Sequence, residues 1–310
     1  AIHIGKERAG WKGLITAGVC FILPAVLITS IFAWFYKQFG QLPQFDSFVY
    51  GIKPAIIAII LAAIFPLAKK SIKSIELGVI GLIVLSLSLL GFNEIYIMFG
   101  AGLLALVLNV ISNKNSSTAN SVFPFTLLQL ANPTLNPSVN LNLFLAFLKI
   151  GAILYGSGYV LFAFLDAELV AKGLLSRNQL IDAIAVGQFT PGPVFSSVTF
   201  IGYQINGFTG AIVSTIGIFL PSFVFVALLN PIVKKMRNSK TISTFLDAVN
   251  VASIAIIITV CFQMGKDTIT NWRTVVIAFL SICTVFGFRK VNSSLVVLGG
   301  SLIGYLLKLI

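Results

Sequence analysis

Apolar stretches, each long enough to cross a lipid bilayer, follow one another through almost the whole chain. A helix needs about 20 apolar residues to span the hydrocarbon layer. Runs of that kind lie near residues 11–36, 52–67, 75–91, 95–111, 143–165, 207–233, 245–264, 272–288 and 293–307, about nine in all. Residues 166–203 are ambiguous between a span and something broken. Only 10% of residues are charged and the mean hydropathy is +1.01, against about 25% charged in a soluble domain. Such a chain cannot cover a water-facing surface, which excludes soluble enzymes, disordered chains and nucleic-acid modules. The net charge of +12 comes from short Lys/Arg clusters between the apolar runs, as in membrane-flanking loops. The expected fold is all-α and polytopic, with the lipid bilayer as its medium and no nucleic acid as partner.

The chain also repeats itself. An offset of 197 residues carries Ile4-Gly5 onto Ile201-Gly202, Gly10 onto Gly207, Gly13 onto Gly210 and Leu23-Pro24 onto Leu220-Pro221. Without a gap it then carries Phe48 onto Phe245 and Ile57-Ala58-Ile59-Ile60 onto Ile254-Ala255-Ile256-Ile257. Glycines and prolines in register are informative because each encodes a backbone requirement. The reading divides the chain into a first repeat at 1–112, an Asn/Ser/Pro/Thr-rich connector at 113–142 and a second repeat at 143–310. Basic residues set orientation. Lys6, Arg8, Lys12, Lys69, Lys70, Lys73 and Lys114 fall on one side of the first repeat. In the second, Lys234, Lys235, Arg237, Lys240, Arg289 and Lys290 fall in the opposite loops. Two inverted-topology repeats are expected, an arrangement that places transporter sites between the halves near the midplane. Two parallel repeats with uneven loop charge remain the alternative.

Chemistry concentrates in AVGQFTPGPVFSSVTFIGY, residues 185–203. Pro191-Gly192-Pro193 cannot continue a helix, since two N–H donors are missing. Broken backbone persists inside a bilayer only where protein or trapped water satisfies it. The segment after it, 194–203, reads as a new half-helix opening with Ser196 and Ser197. Its free N–H groups and positive dipole end suit an oxyanion. Gln188 and Thr190 add neutral donors. A proline kink used only for packing explains the same residues. Lys149, several residues inside an apolar run, is either a functional charge or one that snorkels to the interface. Asp247 and Asn250 share a helical face at the start of a span, fit for proton coupling or for solvation by headgroups. Asp166, Glu168, Lys172 and Arg177 read as a solvated loop. Gly300 and Gly304, and the Gly156/Gly158 pair, read as packing faces. Cys20, Cys261 and Cys283 lack any metal or disulfide spacing, and His3 stands alone. No cofactor is expected. With no HExxH and no histidine near Ser157, enzymatic chemistry is not expected either.

These motifs resemble the bacterial chromate ion transporter family. FLKIGAILYGSGYVLFAFL, AVGQFTPGPVFSSVTFIGY and GAIVSTIGIFLPSF are similar to its C-terminal domain, and AIHIGKERAGWKG with CFILPA to its N-terminal domain entered partway through. The resemblance implies a two-domain protein of the cell membrane that exports chromate, with Gln188, Thr190, Pro191, Gly192 and Pro193 at the conserved break and Lys149 in the motif that opens the domain. It also implies an N-terminally shortened first repeat, because family members carry a similar PGP segment ahead of the AIHIG stretch. Sulfate or another tetrahedral oxyanion fits the same donors, a passive anion channel fits the same spans, and a homodimer is compatible with both.

Overall fold

The computed structural model describes residues 1–40, 43–112, 139–154, 158–190, 192–237, 239–288 and 291–309. The described residues form helices and turns without a strand. Eleven α-helices are described: α1 (Ile2–Phe39), α2 (Pro43–Ser71), α3 (Ile75–Leu89), α4 (Glu94–Ser112), α5 (Val139–Ile153), α6 (Val160–Leu165), α7 (Arg177–Phe189), α8 (Ser197–Arg237), α9 (Lys240–Thr268), α10 (Trp272–Gly287) and α11 (Ser293–Leu309). Four have stretches long and apolar enough to cross a membrane, namely Ile2–Phe39, Val49–Ser71, Val194–Leu228 and Thr241–Thr268. Their outward faces keep large apolar side chains exposed, such as Leu27, Ile31, Phe65, Ile216 and Phe262, as expected of a surface solvated by acyl chains rather than water. The chain is a polytopic all-α membrane protein.

The sequence repeat reappears as a repeat of elements. At the same 197-residue offset, α1 to α4 fall on α8 to α11, with α2 and α9 matching end to end. The correspondence extends to backbone angles. Within α1 the helix folds back at Ala9-Gly10 (Gly10 φ 57, ψ −137). Within α8 it does so at Asn206-Gly207 (Gly207 φ 59, ψ −148). Each fold-back lays a short helical arm along the rest of its own helix. The Gly5 position abuts the Gly13 carbonyl and the Gly202 position abuts that of Gly210, so a side chain fits at neither.

The repeats interlock: α3 and α4 pack on α9, while α10 and α11 pack on α2. Tyr50, near the start of α2, hydrogen-bonds Asn271 just beyond the end of α9 (2.6 Å). Lys73, just beyond the end of α2, pairs with Asp247 near the start of α9 (2.7 Å). Helices α2 and α9 therefore run antiparallel. The same holds for α1 and α8: Lys6 donates to the Val226 carbonyl (2.8 Å), and Gln204 donates to the Ala33 carbonyl (3.0 Å).

Two expectations need correction. The apolar run 143–165 is not one span but α5 followed by α6, whose six residues are all buried. Apolar content cannot tell a lipid-facing helix from one enclosed by protein. Asp166 and Glu168 are not in a solvated loop either. They sit in a π-helical turn, Asp166–Val170, and are only 7% and 4% exposed. Burial is tolerated because each carboxylate is paired. Arg177 Nε and Nη2 reach the two Asp166 oxygens at 3.0 and 3.1 Å, and Lys149 and Lys172 both engage Glu168.

A break between two helices as candidate anion site

Helix α7 opens with a capping box, Ser176 receiving the Gln179 N–H while the Gln179 side chain receives that of Ser176. It ends at Phe189 because the following residues cannot extend it. Thr190 is extended (φ −82, ψ 124), the conformation a following proline favours. Pro193 is likewise extended (φ −70, ψ 135). One 3-10 turn, Val194–Ser196, leads into α8 at Ser197. The expected interruption is present, and its short second arm ends at the Asn206-Gly207 fold-back.

The polar side chains of this break fall into two groups. Thr190 and Ser197 are engaged locally: Thr190 Oγ1 donates to the Val186 carbonyl (2.8 Å) and Ser197 Oγ to that of Val194 (2.9 Å). Gln188 Nε2 and Ser196 Oγ, by contrast, are buried with no hydrogen-bond partner among the described residues. A buried donor left unmet costs about 1–3 kcal/mol. Ser214 Oγ, on the long arm of α8, is in the same condition. Gly192 is exposed, so the break is reachable from outside the packed core. Pro191 lies outside the described residues.

The surroundings come from both repeats. On α1, Thr29 Oγ1 lies 3.3 Å from Thr190 Oγ1, and Ala25 stands where a Gly192 side chain would go. On α11, Ser294 Oγ donates to the Gln188 carbonyl (3.2 Å). Tyr159, at the start of α6, approaches the Gln188 side chain, and Val194 and Phe195 lie beside Gly158. Tyr155, Gly156 and Ser157 lie outside the described residues, as do connector positions 113–138, Arg289 and Lys290.

The structure thus gathers Gln188, Thr190, Gly192, Pro193, Ser196 and Ser197 and separates the other candidates from them. Lys149 is held by Glu168 beside Lys172, a cluster of one net positive charge. Asp247 is paired with Lys73 where α2 and α9 adjoin, and Asn250, half-buried, follows one turn later. Sequence reasoning missed Thr29, Ser214 and a carboxylate on α7 itself, Asp182. Asn178 and Asp182, four residues apart in RNQLIDAIAVGQ, share one helical face and were the available signal.

Comparison with known proteins agrees across most of the chain. The sequence model of a family described as chromate transporter matches residues 1–106 and 141–305. A chromate transport protein of Cupriavidus metallidurans is 31% identical over 310 residues, covering 98% of this chain and 77% of that protein. A probable chromate transport protein of Synechococcus elongatus is 29% identical, covering 94% and 76% respectively. A chromate transport protein of Pseudomonas aeruginosa is 24% identical, covering 98% and 77%. No solved structure is significantly similar to this chain.

Proposed function

The chain belongs to the chromate transporter family, and on that premise we propose that it carries chromate across the cell membrane, outward, by alternating access around the break at 188–197. The reading rests above all on one observation: the buried donors Gln188 Nε2 and Ser196 Oγ, on either side of an interrupted helix, have no hydrogen-bond partner among the described residues. A tetrahedral dianion supplies the acceptors those donors lack, and the amino-terminal end of the α8 arm adds its dipole. Neutral donors suit a cargo that must also leave, because a full countercharge would hold a dianion too tightly. Lys149 contributes through the net positive charge it shares with Glu168 and Lys172, rather than by direct contact.

The two repeats, 1–112 and 143–310 joined by 113–142, are read as inverted halves. The antiparallel pairing of α1 with α8 and of α2 with α9 supports a two-fold axis lying in the membrane plane. Such halves rock against each other about a fixed central site.

Transport of labelled chromate into vesicles carrying the purified protein tests the assignment. Ser196→Ala removes one donor to a charged ligand, worth about 1.5 kcal/mol. The KM for chromate should rise about tenfold with little change in maximal rate. An unchanged KM would remove Ser196 from the site. Sulfate included as competitor measures how far the same donors accept a second tetrahedral dianion.

A further inference from the structure

Asp182 is the least expected charge in the molecule. It lies on α7, is 5% exposed, and is held by groups from the opposite repeat. Tyr36 of α1 donates to its Oδ2 at 2.7 Å, and Lys53 of α2 places Nζ 3.6 Å from its Oδ1. Lys53 also lies 3.4 Å from Asn178 Oδ1, one turn earlier on α7. Eight residues beyond Asp182, just past the end of α7 and about 12 Å along its axis, Thr190 meets Thr29. Thr29 and Tyr36 are seven residues apart on α1, two helical turns, so they share a face. The seam between α1 and α7 thus carries two polar contacts, one at the carboxylate and one at the break.

An ionisable residue enclosed within a membrane protein is costly and is retained where it works. Of the elements packed on α7, α1 brings Tyr36 and also Lys37, which lies over the Tyr203 ring of α8. α2 brings Lys53. α11 brings Tyr305 and Lys308, the latter over the Tyr50 ring. The π-helical turn brings Asp166 and Glu168, engaged by Arg177 and by Lys149 and Lys172. Tyr36 and Lys53 contact Asp182 directly.

We propose that Asp182 is the proton-coupling group of the transport cycle, taking up one proton when the break takes up its anion. The inference rests on the transport reading above. In the ionised state Asp182 neutralises Lys53 and clamps α7 to α1 and α2. A proton arriving from bulk water forms the carboxylic acid and frees the Lys53 charge. The seam becomes one charge more positive, which favours a dianion at the break. Coupling of this kind is reciprocal: the anion promotes protonation as much as the proton promotes anion binding. Proton and anion therefore travel together, in whichever direction their combined gradient points.

The test uses proteoliposomes loaded with labelled chromate. In the wild type, an acid compartment on the chromate side should stimulate net flux about tenfold. With Asp182→Asn, chromate exchange at equal pH should continue while the stimulation disappears. Comparing variant with wild type at each pH cancels the titration of chromate itself. Stimulation that persists in Asp182→Asn overturns the proposal, as does its loss in Asp247→Asn with Asp182→Asn still coupled. If Asp182→Asn does not fold, Lys53→Met decides. Removing the cation makes the carboxylate hold its proton more tightly, so the pH profile of exchange should move about one unit upward. An unmoved profile overturns the proposal. No chromate exchange by the folded wild type at any pH would instead remove the transport reading beneath it.

Discussion

Replacing Gly51 with leucine should abolish the folded protein, whereas the same change at Gly299 should be almost silent. Gly51 lies where α2 crosses α11. A β-carbon there would run into the Gly300 carbonyl and would stand 2.8 Å from Gly304 Cα. What blocks it is backbone on both sides, so no rotamer change relieves the clash. Ordinary overpacking costs about 1–3 kcal/mol because side chains shift. Here the helices themselves would have to separate, and the cost should reach about 4 kcal/mol or more, the exceptional range for one substitution. In lipid the loss matters more, because helix association depends on close packing rather than on expulsion of water. Gly299 is the neighbouring residue on α11 with nothing near its β-carbon position, so leucine there does not force backbones apart. Monodispersity after extraction and thermal unfolding in detergent would separate the two. A Gly51→Leu protein that stays monodisperse with an unchanged melting temperature would mean that the crossing is not close-packed.

That crossing shows both the reach and the limit of the sequence. The Gly300/Gly304 spacing announces a packing face, but not its partner, since Gly51 stands alone in α2 with no such signature. The repeat hides it too, because the position equivalent to Gly51 is Ala248. What the sequence displays is local: lengths of apolar runs, glycines in register at an offset of 197, and prolines that stop α7 before Thr190. The fold-backs at Gly10 and Gly207 follow the same logic, since their positions match although their geometry is invisible in the letters. What it conceals is through-space compensation. Asp166 and Glu168 look solvated because a carboxylate standing alone belongs in water; Lys172, four residues after Glu168, is visible in the pattern, but nothing local reveals that Lys149 and Arg177 also close over the pair. Asp182 is hidden for the same reason, its partners lying 146 and 129 residues away in the other repeat. Hydropathy also measures transfer out of water without saying into what, so α6 and a lipid-facing helix look alike.

The second large effect should fall on transport rather than on folding. Gly192 carries a φ of +145, a conformation L residues rarely adopt at a cost of about 1–3 kcal/mol. Its β-carbon position is 2.7 Å from Ala25 Cβ on α1. Gly192→Val should therefore force the break to re-aim or α1 to withdraw. Either movement displaces the 3-10 turn that holds Ser196, two residues past Val194. Misplacing groups that must converge on one anion by about 1 Å can cost on the order of a hundredfold in rate. Because Gly192 is itself exposed and few core contacts pass through it, the melting temperature should fall much less than with Gly51→Leu. The two physical causes can be separated. Ala25→Gly combined with Gly192→Ala removes the clash and keeps the backbone strain. If that pair transports as the wild type does, the clash with α1 was the whole effect. If it stays impaired while folded, the positive φ is what sets the aim of the break. Wild-type rates in Gly192→Val itself would mean that the interruption between α7 and α8 only packs, and the anion would have to be sought elsewhere.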